Sequence, residues 1–168
     1  QVIVSADVTQ DENDMGQMHP MLEKTKEDLR NADIEEEIEN ALFDAGYCSE
    51  DNLSKVDEEG PEIYAATTKD WKRQKAIKES GSPRGRIPKG LSKRELMERK
   101  LRTKRGVNMY GKRKIMVEPP FGQMKEGQGF KRFMMRGIES VKSEWRFMCA
   151  SHNILKLWRS RKRKVFET

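Results

Sequence analysis

Apolar residues recur along this chain at two different spacings, and the change of spacing marks its elements. Val2-Ile3-Val4 is a short apolar run bounded by the polar stretch Thr9-Gln10-Asp11-Glu12-Asn13-Asp14, which predicts a short buried strand over 2–4. Met15, Met18, Leu22 and Leu29 then fall three, four and seven residues apart, a single helical stripe that predicts a helix over about 14–30. Ala41-Leu42-Phe43 stops at Asp44-Ala45-Gly46-Tyr47 and reads as a strand ending in a turn. Ser49 is placed to cap a short helix through Leu53, and Ile63 to Ala66 gives a further strand after the turn at Gly60-Pro61. Gly81, Pro83, Gly85, Pro88 and Gly90 make 78–90 a breaker-rich basic loop. Beyond it the spacing is helical over 92–104, about 107–117, from Pro119 or Pro120 onward, and about 136–159, where Ile138, Val141, Trp145, Met148, His152 and Leu155 share one stripe. His152 is the polar member of that stripe and reads as a hydrogen-bonded core or boundary residue rather than a ligand. Strand, helix, strand, helix, strand is an α/β order, implying a short sheet covered by helices with a helical C-terminal half.

Composition narrows the partners. In 168 residues, 35% are apolar and 37% charged, so the core is lean and the surface heavily charged. No apolar run approaches the roughly 20 residues needed to span a bilayer, and no secretory leader opens the chain. Position 1 is Gln, and the sequence opens directly on the strand-like run, as a piece of something longer would. Cys48 and Cys149 lie far apart without a CxxC spacing, and the histidines are His19 and His152, which excludes a Cys/His zinc site. Two unclustered cysteines fit a reducing cytoplasm, with one long-range disulfide left open. Charge is divided by position: residues 1–66 hold 4 Lys and Arg against 19 Asp and Glu, net −15, whereas 67–168 hold 30 against 9, net +21. A half this basic favours a polyanion such as nucleic acid, the alternative being a solvated helix surface.

Three places carry candidate chemistry. Asp44 stands where a strand gives way to a Gly turn, the end of an α/β sheet at which ligands collect, although Asp before Gly is also ordinary turn chemistry. Glu118 is the only carboxylate between Arg99 and Lys125, so its cationic neighbours favour its ionised, hard form, suited to Mg²⁺ or Mn²⁺; local charge neutralisation is the competing reading. Pro119 and Pro120 bias Glu118 out of the α region. From Phe121 to Phe133, aromatics, glycines and bases interleave, with Lys125, Lys131 and Arg132 as candidate phosphate contacts. The rings Phe121, Phe130 and Phe133 serve equally well as helix-terminus packing. Gly127-Gln128-Gly129 lacks the strand and spacing of a dinucleotide or Walker loop. The run Arg161-Lys162-Arg163-Lys164 lies in a basic C-terminal tail, 159–168, that tracks phosphates or is a solvated end.

Taken in order, Val2 to Thr9, Asp44-Ala45-Gly46-Tyr47 with Ser49-Glu50-Asp51-Asn52-Leu53, Glu118-Pro119-Pro120-Phe121-Gly122-Gln123-Met124-Lys125, and the ending Gly137-Ile138-Glu139, Glu144-Trp145 and His152 to Leu157 resemble the DDE transposases of bacterial insertion sequences. The resemblance covers nearly the whole chain and is weakest over 67–95. It implies a ribonuclease-H-like catalytic domain, here partial, over 1–158 with 67–91 as a basic inserted loop. It also implies three carboxylates holding two Mg²⁺ or Mn²⁺ ions for phosphodiester cleavage and strand transfer. On this resemblance Asp44 is the second Asp and Glu118 the Glu, both catalytic and both metal ligands. The first Asp lies on an earlier strand, upstream of this chain, and Asp7, which by order ends the third strand, is not its equivalent. Tyr110, Arg113, Glu118 and Lys125 resemble a Tyr-Arg-Glu-Lys helix signature, with one extra residue before Glu118, so that Lys114 is an alternative to Arg113. Element ends and target DNA are the implied partners, with homo-oligomers left open and no membrane, in a bacterial cytoplasm at the nucleoid. A non-catalytic DNA-binding remnant and a nuclease of the same fold are the rival readings.

Overall fold

Asn13 starts the first helical turn by accepting the Met15 N–H at 3.0 Å, and the 3₁₀ turn Asp14–Gln17 runs directly into α1, Met18–Asn31. The computed structural model describes residues 1–57 and 59–166, with the side chains of Lys78 and of 162–166 outside the description. Residues 12–113 make one compact unit, and residues 1–11 with 114–168 make a second.

In the unit 12–113, β1 (Asn40–Phe43) and β2 (Glu62–Ala65) form a two-stranded parallel sheet, with Asn40 opposite Glu62 and Phe43 opposite Ala65. A parallel pair needs a long crossover, which here carries the 3₁₀ turn Ala45–Tyr47 and α2, Glu50–Ser54. Ser49 caps α2 as its position suggested, accepting the Asn52 N–H at 3.0 Å. Met18, Ala41, Leu53, Ile63, Ala65 and Met97 form the buried cluster, with Leu22, Phe43, Tyr47 and Leu101 packed against it. Met15, the first member of the expected stripe, is instead half exposed, because the 3₁₀ turn rotates it off the face that Met18 and Leu22 share. The segment 67–91 is not all loop: Asp70 accepts the Lys72 N–H and opens α3, Trp71–Glu79, before the breaker-rich stretch begins. Helix α4, Lys93–Arg102, has a full capping box between Ser92 and Glu95. Thr103 then accepts the Gly106 N–H at 3.0 Å and turns the chain into α5, Lys104–Met116. Gly106 is required at this corner, since a Cβ there would overlap the Lys100 carbonyl oxygen.

The second unit holds α6 (Glu118–Gly122), the π-helical turn Gln123–Gly127 and α7 (Ile138–Phe166). The stripe expected on α7 is its covered face: Ile138, Val141, Trp145, Met148 and Leu155 are half-buried, and Cys149 and His152 are buried. His152 Nε2 lies 3.1 Å from the Gln1 carbonyl oxygen, which satisfies the buried imidazole as a core residue. Two expectations are corrected here. No strand forms over 2–4, and Val2 and Val4 are about half exposed. The extended backbone finds its partner in a side chain: Asn153 Oδ1 accepts the Ile3 N–H at 2.8 Å and Asn153 Nδ2 donates to the Ile3 carbonyl at 2.7 Å. One carboxamide thus does what a neighbouring strand would do. Nor is Glu118 displaced from the α region; it is the first residue of α6, and the interruption falls at Val117. Pro119 and Pro120 sit in the first turn of the new helix, where a missing N–H costs nothing. Helix α7 also runs seven residues past its expected end, through Phe166; Glu167 and Thr168 of the expected tail, and the side chains of Lys162, Arg163 and Lys164, lie outside the described residues. Among the described residues no helix is long and apolar enough to cross a membrane.

Candidate carboxylate site and nucleic-acid interface

Asp44 follows the last residue of β1, at the C-terminal end of the parallel pair. Its side chain is 55% exposed and both oxygens are engaged: Oδ1 accepts the Ala45 N–H at 2.6 Å, and Oδ2 pairs with the Arg113 guanidinium at 2.9 Å. One turn earlier on α5, the Tyr110 hydroxyl donates to the Phe43 carbonyl at 3.2 Å. Burial pushes the Tyr110 hydroxyl above its ordinary value, so it remains a protonated donor. Two of the expected DNA contacts therefore hold the strand end that carries the candidate carboxylate.

Asn52 fixes the turn beside Asp44 and was not singled out by its sequence. It is buried, and its Nδ2 donates to the Met15 carbonyl at 2.7 Å and to the Tyr47 carbonyl at 2.8 Å. His19 Nε2 lies 3.0 Å from the Asn52 carbonyl oxygen. The available signal was its place three residues after the capping Ser49, where an Asn faces inward. The end of β2 is held in a similar way: Arg94 donates from Nε to the Thr67 carbonyl at 3.0 Å, and Glu50 accepts the Lys93 and Arg94 backbone N–H groups at 2.9 and 3.0 Å. The Arg94 N–H, with Ser92 and the Lys93 N–H, holds the Glu50 carboxyl below the usual range.

In the second unit Glu118, Lys114 and Lys125 are exposed. Phe121, Phe130 and Phe133 close around Trp145, with ring centroids 6.1, 5.9 and 6.3 Å away. That is the packing alternative for these rings. Lys125, Lys131 and Arg132 line the same cavity of about 450 Å³, so bases and aromatics do meet on one surface. Asp7 is occupied structurally, accepting the Val8 N–H at 2.8 Å and pairing with Lys142 at 3.4 Å.

The sequence model of a family described as transposase DDE domain matches residues 67–158. The chain belongs to this family. No curated protein and no solved structure matches it. Within the transposase DDE match lie Tyr110, Arg113, Lys114, Glu118, Lys125, Lys131 and Arg132, together with the stretch 67–95 where the resemblance was weakest; Asp44 lies upstream of it. In the transposase signature Tyr and Arg precede Glu on one helix. Here Tyr110 and Arg113 are on α5 and Glu118 begins α6, and the break at Val117 falls where the spacing carries its extra residue. Transposase DDE domains generally use divalent metal ions, and carboxylate oxygen is the right donor for them. Among the described residues, however, no three His, Cys, Asp or Glu side chains converge, and both Asp44 oxygens are already engaged.

Proposed function

We propose that this chain takes part in DNA transposition by phosphodiester cleavage and strand transfer, as part of a ribonuclease-H-like catalytic domain over residues 1–158. The observation that carries the reading is the transposase DDE match over 67–158, a span that contains Glu118 and lies in the half of the chain with net charge +21. Asp44 and Glu118 are its contribution of acidic groups, with 67–91 a basic insertion and 159–168 a basic tail. The Mg²⁺ or Mn²⁺ ions of such a reaction would require ligands beyond these two, so no step is assigned through them. What the chain's own residues do is electrostatic: Lys114, Lys125, Lys131 and Arg132 neutralise phosphates, and Arg113 with Tyr110 holds Asp44 in place.

Duplex affinity measured against salt tests this reading. The log–log slope falls by about 0.9 for each phosphate neutralised, so affinity should drop steeply, and a flat response refutes the reading. Lys125→Ala should weaken binding to element ends selectively, whereas neutralising 161–164 should weaken all DNA alike; equal losses on both substrates in both variants would remove the separate role of Lys125.

A further inference from the structure

Between the π-helical turn and α7 the chain exposes a short apolar tip that packing does not use. Met134 is 74% exposed and Met135 56% exposed. Such exposure usually accompanies loose backbone, but here the backbone is pinned. The Glu144 carboxylate accepts the Met134 N–H at 2.9 and 3.0 Å and the Met135 N–H at 3.0 Å. On one side of the tip Phe130 and Phe133 are anchored on Trp145, and on the other Gly137, at φ 83°, turns the chain into α7. The methionines are therefore presented outward by a fixed loop. Lys131, Arg132 and Arg136 flank them, all exposed, and no acidic residue occurs from 130 to 138.

We infer that Met134 and Met135 form a wedge that inserts between base pairs of duplex DNA while Lys131, Arg132 and Arg136 hold the adjoining phosphates. Charge complementarity selects the occupant, since a purely apolar partner would leave three cations at the rim of the contact unpaired. Unbranched thioether side chains are narrow, adaptable and polarizable, which suits entry between stacked bases, and apolar wedges of this kind partly unstack a step and kink the duplex. Fixing the loop beforehand through Glu144 lowers the ordering cost of insertion. The assignment rests on the DNA-binding reading above but is separable from it, because phosphate contacts alone bind without unstacking.

The test uses the full chain and short duplexes carrying 2-aminopurine at successive positions beside TA and CA steps, the most easily unstacked. The wild-type protein should raise 2-aminopurine fluorescence severalfold at one step. Met134→Ala with Met135→Ala should abolish that rise and lower affinity severalfold, with an unchanged salt slope. Because both side chains are exposed, the double variant should keep the wild-type unfolding midpoint, and Lys131→Ala should instead reduce the salt slope by about 0.9. Binding with a normal salt slope but no fluorescence rise, or a rise that survives in the double variant, overturns the wedge and leaves the DNA-binding reading standing. Self-association that the double variant abolishes would assign the tip to a second copy of the chain and also overturn it. Failure to bind duplex DNA at all overturns both.

Discussion

Asn153→Ala should loosen the N-terminal segment at Ile3, and the structure sets the size of the effect. The Asn153 carboxamide makes two hydrogen bonds to the Ile3 backbone, at 2.8 and 2.7 Å, and both residues are half-buried. A net hydrogen bond contributes about 0.5–1.5 kcal/mol, so losing two should cost about 1–3 kcal/mol, nearer the lower end because partial exposure lets water reach the freed groups. His152 and Lys156 still hold Gln1, which confines the loss to the neighbourhood of Ile3. Exchange of the Ile3 amide hydrogen should accelerate roughly fivefold to thirtyfold in the variant, read by NMR, while amides in the middle of α1 stay unchanged. Asn153→Asp keeps an acceptor for the Ile3 N–H but loses the donor, so it should fall between. Unaltered Ile3 exchange in Asn153→Ala would refute the claim that a side chain substitutes for the missing strand.

Gly106→Ala should destabilise the unit 12–113 by about 1–3 kcal/mol in urea denaturation, because its methyl group would meet the Lys100 carbonyl; a neutral substitution would mean that the α4–α5 corner is looser than described. The Glu50 carboxyl lies below its ordinary value of 4.5 in the folded chain, so its contribution is present above that value and lost as pH falls through the lower folded one. Glu50→Gln should therefore flatten the acid limb of the urea midpoint below the ordinary carboxyl value of 4.5, and an unchanged acid limb would show that capping of α4 by Glu50 adds nothing.

Elements defined by local chemistry were legible in the sequence. The Ser49 cap, the strands ending at Phe43 and near Ala66, and the α7 stripe through His152 all follow from periodicity and capping residues that act within a few positions. What escaped depends on partners distant in sequence. Val2-Ile3-Val4 has the pattern of a strand, but a strand exists only with a hydrogen-bonding neighbour, and the neighbour is Asn153. Pro119-Pro120 reads equally as a helix breaker or a helix start, and only the placement of Val117 decides between them. Asp44 was visible as a candidate from its strand end, and Arg113 from the resemblance to the Tyr-Arg-Glu-Lys signature. The ion pair of Arg113 with Asp44 was not, since nothing local records it, and the staple made by Asn52 had only its place after the capping Ser49 as a signal.

The central proposal is that the basic half of this transposase-family chain binds DNA. One gel tests it: supercoiled plasmid incubated with the purified chain and Mn²⁺, run to separate shifted, nicked and linear forms. The account predicts a shift that salt reverses, because residues 67–168 carry a net charge of +21. Absence of any shift at low salt would contradict it, and Mn²⁺-dependent nicking that disappears in Asp7→Ala would show that Asp7 takes the place expected of the first Asp.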